Sequence, residues 1–205
     1  MASSTDLKLE LTVFTYGYNQ RRAEIELRPA IPVAIRGDSL AIKEWVDGLA
    51  ILMSPDFKFT NEWGCEICGK QARESKYNVV YWTHLPQPRV VFYIHNLCEA
   101  GMNYCHKVIK DQERVINAMH MMPSPPDPSW PNTDHRTPES PYPAASSCAK
   151  CNDEKTAKKG FKMSRCSACK LTRYCCPGCQ KADWSRHKKA CKVIESVKWV
   201  HWPVH

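Results

Sequence analysis

Leu7, Leu9, Leu11 and Val13 alternate with polar neighbours as far as Thr15, the two-residue period that sets one side of a strand against a core. A second strand is expected over Ala23 to Leu27, with Pro29 and Pro32 marking its end or an edge. The period then lengthens. From Leu40 to Met53 the apolar positions Leu40, Ile42, Trp45, Val46, Leu49, Ile51 and Leu52 make the face of an amphipathic helix that Asp38 or Ser39 could cap. Asn78 to Trp82 and Arg89 to Ile94 read as a hairpin through Leu85-Pro86-Gln87-Pro88. A last helix is expected from about Asn103 to Met121, on the stripe Val108, Ile109, Val115, Ile116 and Met119.

Between Met122 and Pro143 the periodicity stops, and eight of the fifteen prolines fall there among Ser, Thr, Asn and Asp. Such a stretch favours extended, polyproline-like backbone and acts as a semi-rigid spacer, with Trp130 and Tyr142 as its aromatics. Beyond it aliphatic residues thin out, and cysteine and basic residues replace them. The expected architecture is α+β: a small mixed domain over residues 1–121, a Pro-rich linker over 122–147, a cysteine-rich module over 148–191 and a tail over 192–205. Trp199 and Trp202 in that tail could extend a groove or seal the module.

The chain has 205 residues, room for one ordinary domain or two small ones. No apolar run approaches the roughly 20 residues that span a bilayer, so no membrane partner is expected. Met1-Ala2-Ser3-Ser4-Thr5-Asp6-Leu7-Lys8 lacks the charged stretch and apolar core of a secretory signal. The expected location is therefore the cytoplasm or nucleus, where thiols stay reduced, and the twelve cysteines read as metal ligands before disulfides.

Eight of the candidate ligands crowd into 44 positions: Cys148, Cys151, Cys166, Cys169, Cys175, Cys179, His187 and Cys191. These are four closely spaced pairs, enough for two tetrahedral zinc sites of thiolate and imidazole. So short and aliphatic-poor a segment cannot bury enough apolar surface to offset roughly 1–2 kcal/mol of backbone entropy per ordered residue. Structural zinc, with apparent binding free energies of about 10–16 kcal/mol per site, supplies an effect of the required size. Spacing alone leaves interleaved and sequential pairing both open.

A second metal signal lies in the first domain. Cys65 and Cys68 form a Cys-x2-Cys flanked by Gly64 and Gly69, and His95-x2-Cys98 follows the expected hairpin, with Cys105 a few residues on. Cys65, Cys68 and Cys98 are expected to hold a third zinc, with His95 or Cys105 as the fourth ligand.

Charge is uneven as well. Cys148 to Lys192 carries thirteen Lys or Arg against three Asp or Glu in a chain of net charge +8. Lysines beside zinc thiolates stabilise them, and the surplus would also suit an acidic partner or nucleic acid. Within the module, Pro177 suits the first turn of a short helix and Asp183 could cap a second from Trp184 to about Ile194. His187 and Cys191, four apart, would then point from one helical face at one ion.

The segment Cys148 to Cys191, with Arg173-Tyr174-Cys175, Cys179-Gln180, Asp183-Trp184 and His187-Lys188-Lys189-Ala190-Cys191, resembles a MYND-type zinc finger. The resemblance covers about a fifth of the chain. It implies interleaved pairing, with Cys148, Cys151, Cys175 and Cys179 on one zinc and Cys166, Cys169, His187 and Cys191 on the other. Cys176 stands where the family usually has serine and is expected to be a free thiol. MYND fingers of this kind take proline-rich peptides, often Pro-x-Leu-x-Pro, into a shallow groove whose contacts fall here on Ser167, Gln180 and Trp184. An indole face suits a proline ring, and a preformed polyproline-like ligand loses little entropy on binding.

The expected function is therefore a zinc-binding adaptor for proline-rich segments of partner proteins, with transcriptional regulation as one process it could serve. A nucleic-acid-binding regulator using the basic module is the alternative. A ubiquitin ligase fits less well, because its interleaved zinc sites end in a Cys-x2-Cys pair where this chain has His187-x3-Cys191. Zinc sites closed by four protein ligands leave no position for a substrate water, and no nucleophile, base and oxyanion grouping is evident, so no enzymatic activity is expected.

Overall fold

The early alternation builds an antiparallel pair, β1 (Glu10–Tyr16) and β2 (Arg22–Leu27). In the computed structural model, which describes residues 6–99, 101, 103–119 and 142–202, the hairpin β3 (Glu74–Trp82) and β4 (Arg89–Leu97) joins this pair through a parallel β1–β4 contact. The fifth strand, β7 (Ile194–Val200), comes from the expected tail and pairs antiparallel with β2, giving the order β3-β4-β1-β2-β7. A register shift between Glu26 and Leu27 lets Ile194, Val197 and Trp199 pack against the core.

One face of the sheet is covered by α1 (Ser39–Lys58), capped by Asp38, whose side chain accepts from the amides of Leu40 and Ala41. Ile42, Val46, Ala50, Met53 and Phe57 repeat at three- and four-residue spacing and are buried with Leu11, Val13, Ile25, Phe92 and Ile94. Phe57 meets Phe92 edge-on at 6.3 Å. The helix outruns its expected end at Met53. Pro55 lies inside it, removing one ladder donor at a cost of about 3 kcal/mol, but the last turn buries Phe57 and Asp56, and burying one such aromatic side chain returns about 1.5–3 kcal/mol.

Helix α2 (Tyr104–Met119) begins where Asn103 Oδ1 accepts from the amides of Cys105 and His106. Met121 and residues 122–141 of the expected linker lie outside the described residues. Its last part does not behave as a solvated spacer: Ala144, Ala145, Ser146 and Ser147 are buried, and the Ala145 amide donates to Ala72 O at 2.8 Å.

The module that follows holds a two-residue hairpin, β5 (Ser164–Arg165) and β6 (Arg173–Tyr174), and one helix, α3 (Pro177–Cys191). The two short helices expected here are one. Asp183 is not a cap but sits in mid-helix, accepting from Tyr174 Oη at 2.8 Å and from Arg186. Cys176 is the cap, its sulfur accepting from the Cys179 amide at 3.4 Å.

The module lies against the first domain throughout. The Arg173 amide donates to Phe59 O, the Arg28 amide to Val193 O, and the Arg165 side chain to Thr60 O. Leu171 and Tyr174 belong to the same buried cluster as β1, β4 and α1. Trp199 and Trp202 seal this junction by packing on Trp63 at 6.3 and 5.0 Å. Among the described residues no helix is long and apolar enough to cross a membrane.

Candidate metal centres

Three Cys-x2-Cys turns share one backbone design. The residue after the second cysteine takes positive φ, +74° at Gly69, +55° at Asn152 and +57° at Lys170. Its amide donates to the carbonyl of the first cysteine: Gly69 to Cys65, Asn152 to Cys148, Lys170 to Cys166. Such a turn aims two sulfurs at one point. At 69 a Cβ would stand 3.2 Å from the Tyr18 ring, a tight approach that favours glycine there.

The turns converge with other ligands into three clusters whose donor atoms lie within 4.8 Å of one another: Cys65, Cys68, Cys98 and Cys105; Cys148, Cys151, Cys175 and Cys179; Cys166, Cys169, His187 and Cys191. Pairing in the module is thus interleaved. Zinc–sulfur bonds of about 2.3 Å in a tetrahedron require sulfurs about 3.8 Å apart. Cys98 and Cys105 stand 3.8 Å apart, Cys151 and Cys175 3.8 Å, Cys166 and Cys191 3.9 Å, Cys175 and Cys179 3.5 Å, and Cys169 Sγ lies 3.7 Å from His187 Nε2. Three sites of four soft donors at this spacing fit zinc, and the two sites of the module are those of a zinc finger. Four protein donors close each site, so its chemistry is structural.

The fourth ligand of the first-domain site is Cys105. His95 is not among the converging donors: its ring stacks on Tyr16 at 5.4 Å and bonds Glu66 Oε2 through Nδ1 at 2.7 Å. Burial and the Cys68 sulfur push the Cys98 thiol up to about 11, so zinc must displace protons as it binds. At Cys166 burial also opposes ionisation, but the Cys169 amide, the His187 ring and the Ala168 amide outweigh it and bring the thiol down to about 7.

Around the histidine-bearing cluster stands a polar network that periodicity did not reveal. His187 Nδ1 bonds Asp56 Oδ1 at 2.7 Å, the same oxygen accepts from Thr172 Oγ1 at 2.9 Å, and Arg186 bridges Asp56 and Asp183. Asp56 was legible in one respect: it is a carboxylate three residues past Met53, where the apolar stripe of α1 should continue.

Of the three residues expected to contact peptide, Gln180 and Trp184 lie one turn apart on α3 and Ser167 lies in the Cys166–Cys169 turn. Trp184 is 42% exposed, its ring 6.0 Å from that of His187. Ser167 is exposed and Gln180 half-buried. Cys176 is in none of the clusters.

Residues 148–191 match the MYND finger family model. The chain is 47% identical over 51 residues to SET domain and MYND-type zinc finger protein 6 of Schizosaccharomyces pombe, a match covering 25% of this chain and 10% of that protein. It is 46% identical over 37 residues to human Histone-lysine N-methyltransferase SMYD3, covering 18% and 9%. To SET domain-containing protein 14 of Caenorhabditis elegans it is 47% identical over 34 residues, covering 17% and 8%. The matched region spans about a tenth of these relatives. No solved structure matches. The C-terminal module is a MYND finger, a zinc-binding protein-interaction module. One expectation is overturned, that of no enzymatic activity: the relatives that share this finger are SET proteins, one of them named a histone-lysine methyltransferase. Closed zinc sites argue only that zinc is not the reacting centre.

Proposed function

We propose that the finger binds proline-rich segments of partner proteins across Ser167, Gln180 and Trp184. The observation that carries this is Trp184: a large indole left 42% exposed on a helix whose neighbouring Asp183 and His187 are buried. It contributes no ligand to zinc and no closed packing to the core, so its exposed face is available to a proline ring. Gln180, one turn away on the same face, can bond an extended backbone. Thiolate sites need a reducing compartment, and the cytoplasm or nucleus is the proposed setting.

Titrating the zinc-loaded chain with a Pro-x-Leu-x-Pro peptide tests this. Trp184→Ala should keep all bound zinc and weaken the peptide by about 2 kcal/mol or more, the loss typical of an interface aromatic. A chain that ignores the peptide but binds nucleic acid in a steeply salt-dependent way, with or without Trp184, favours the basic-module reading instead.

The relatives support a second reading, that the whole protein acts in protein-lysine methylation. Transfer of a labelled methyl group from S-adenosylmethionine to histones by the purified chain, above a no-protein control, is its test.

A further inference from the structure

We propose that Asp56 is a positioning residue of the Cys166, Cys169, His187 and Cys191 zinc site, so that the first domain sets the affinity of the finger for one of its two ions. Asp56 lies outside the finger, in the last turn of α1, yet its side chain and that of His187 are both 0% exposed and 2.7 Å apart. The partners define the roles. A carboxylate held by Arg186 only accepts, so Nδ1 of His187 keeps its proton and Nε2, 3.7 Å from Cys169 Sγ, is the nitrogen that turns its lone pair to the metal once zinc binds. A carboxylate behind a ligating imidazole fixes the ring's tautomer and tilt and raises its basicity.

Asp56 is itself held from several sides. Thr172 donates to Oδ1 at 2.9 Å, and Arg186 spans both oxygens, Nη1 to Oδ2 and Nη2 to Oδ1 at 3.1 Å. Arg186 Nη1 also donates to Leu52 O at 3.2 Å, in the turn that Pro55 interrupts. A fully buried carboxylate is tolerated only with its lone pairs satisfied, and here Thr172, Arg186 and His187, which hydrogen-bond it, all belong to the finger. Among the described residues no first-domain carboxylate bonds a ligand of the Cys148, Cys151, Cys175 and Cys179 site. The amide of Cys148, its most buried member, bonds Thr156 Oγ1 within the module.

The test uses the full chain. Zinc affinities are measured by competition with a chromophoric chelator, and cobalt substitution separates the histidine-bearing site from the two all-cysteine sites by its absorption bands. Asp56→Asn, of the same shape but without the charge, should weaken one ion by about 10–100-fold, the one whose cobalt bands are those of three thiolates and an imidazole, and leave the other two unchanged. It should also disturb the 15N shifts of the His187 ring, which report the tautomer. Asp183→Asn is the control: it is buried and bonded to the same Arg186 but makes no hydrogen bond to His187, and should leave all three affinities within about threefold, well short of the roughly 10–100-fold loss expected when a ligand loses its partner.

Unchanged affinities in Asp56→Asn overturn the proposal, as does an equal loss at all sites or the same loss in Asp183→Asn, since either would mark a merely structural network. If Asp56→Asn does not fold, Thr172→Val removes one bond to Oδ1 and should weaken the same ion to a smaller degree; no change there overturns the proposal as well.

Discussion

The two zinc sites of the finger are built from interleaved ligands a few residues apart, yet they differ in what surrounds them. At the all-cysteine site Cys151 is exposed and Cys175 and Cys179 are half-buried, and the groups that orient the turns come from the finger. At the histidine-bearing site Cys166, Cys169 and His187 are buried, and the ligand ring bears on a carboxylate more than a hundred positions upstream. Equal donor geometry therefore does not mean equal dependence on the rest of the chain. Around the first site the ties to the first domain run through neighbours of the ligands, Arg73 to Glu154 and Gln71 to Ser146; at the second a first-domain carboxylate holds a ligand itself.

The substitution expected to cost the most stability is Phe57→Ala. It empties a fully buried position next to Asp56 and should cost about 3–5 kcal/mol of stability in urea unfolding of the zinc-loaded chain. The cavity loosens the turn that carries Asp56, so zinc competition should also show weaker binding at the histidine-bearing site, with the finger's all-cysteine site unaffected.

Acidity should not separate them. At the histidine-bearing site burial disfavours the imidazolium, but Asp56 and the Cys169 and Cys166 sulfurs outweigh it and raise His187 to about 10; burial and the Cys169 and Cys166 sulfurs push Cys191 up to about 12. At the all-cysteine site burial raises Cys175, and Cys179 goes up to about 12 for the same reason. Groups whose pKa is raised above neutrality hold protons at pH 7 until zinc displaces them. Affinity at both sites should therefore rise with pH, by about tenfold or more per unit between pH 6 and 8, as zinc competition at stepped pH would read.

Cys176→Ser should have the smallest effect. Serine is a good N-cap, so it can accept the Cys179 amide as the sulfur does, and zinc content and thermal midpoint should stay put, within about 0.5 kcal/mol. Loss of an ion would mean that Cys176, whose sulfur lies 3.9 Å from that of Cys175, shares in the metal.

Much of this was legible along the chain, and the parts that were not have common causes. Strands β1 and β2, the hairpin and both long helices follow from periods of two and 3.6, although Leu40 and Ile51 on α1 and Val115 and Ile116 on α2, all expected on the apolar faces, are exposed. The ligand pairs stand out because a knuckle turn brings two sulfurs together only at short spacing. Three features escaped. Pro55 reads locally as a stop, but burial of Phe57 carries α1 past it, and Asp56 lies in that added turn. Strand β7 pairs with β2 through a register shift, and that partner is some 170 residues away, a pairing that no local window contains. His95 has ligand chemistry and ligand spacing, but Tyr16 and Glu66 hold its ring; only the three-dimensional arrangement distinguishes it from Cys105.

The most direct test of the junction is hydrogen exchange along α1 in two variants of the full chain, each lacking one ligand. Cys169→Ser removes the ion that His187 serves and should lower protection in residues 53–58, the turn bearing Asp56, whereas Cys151→Ser should release the finger's other ion and leave that turn as protected as in the parent. Equal loss of protection in both variants, or none in either, would contradict the account.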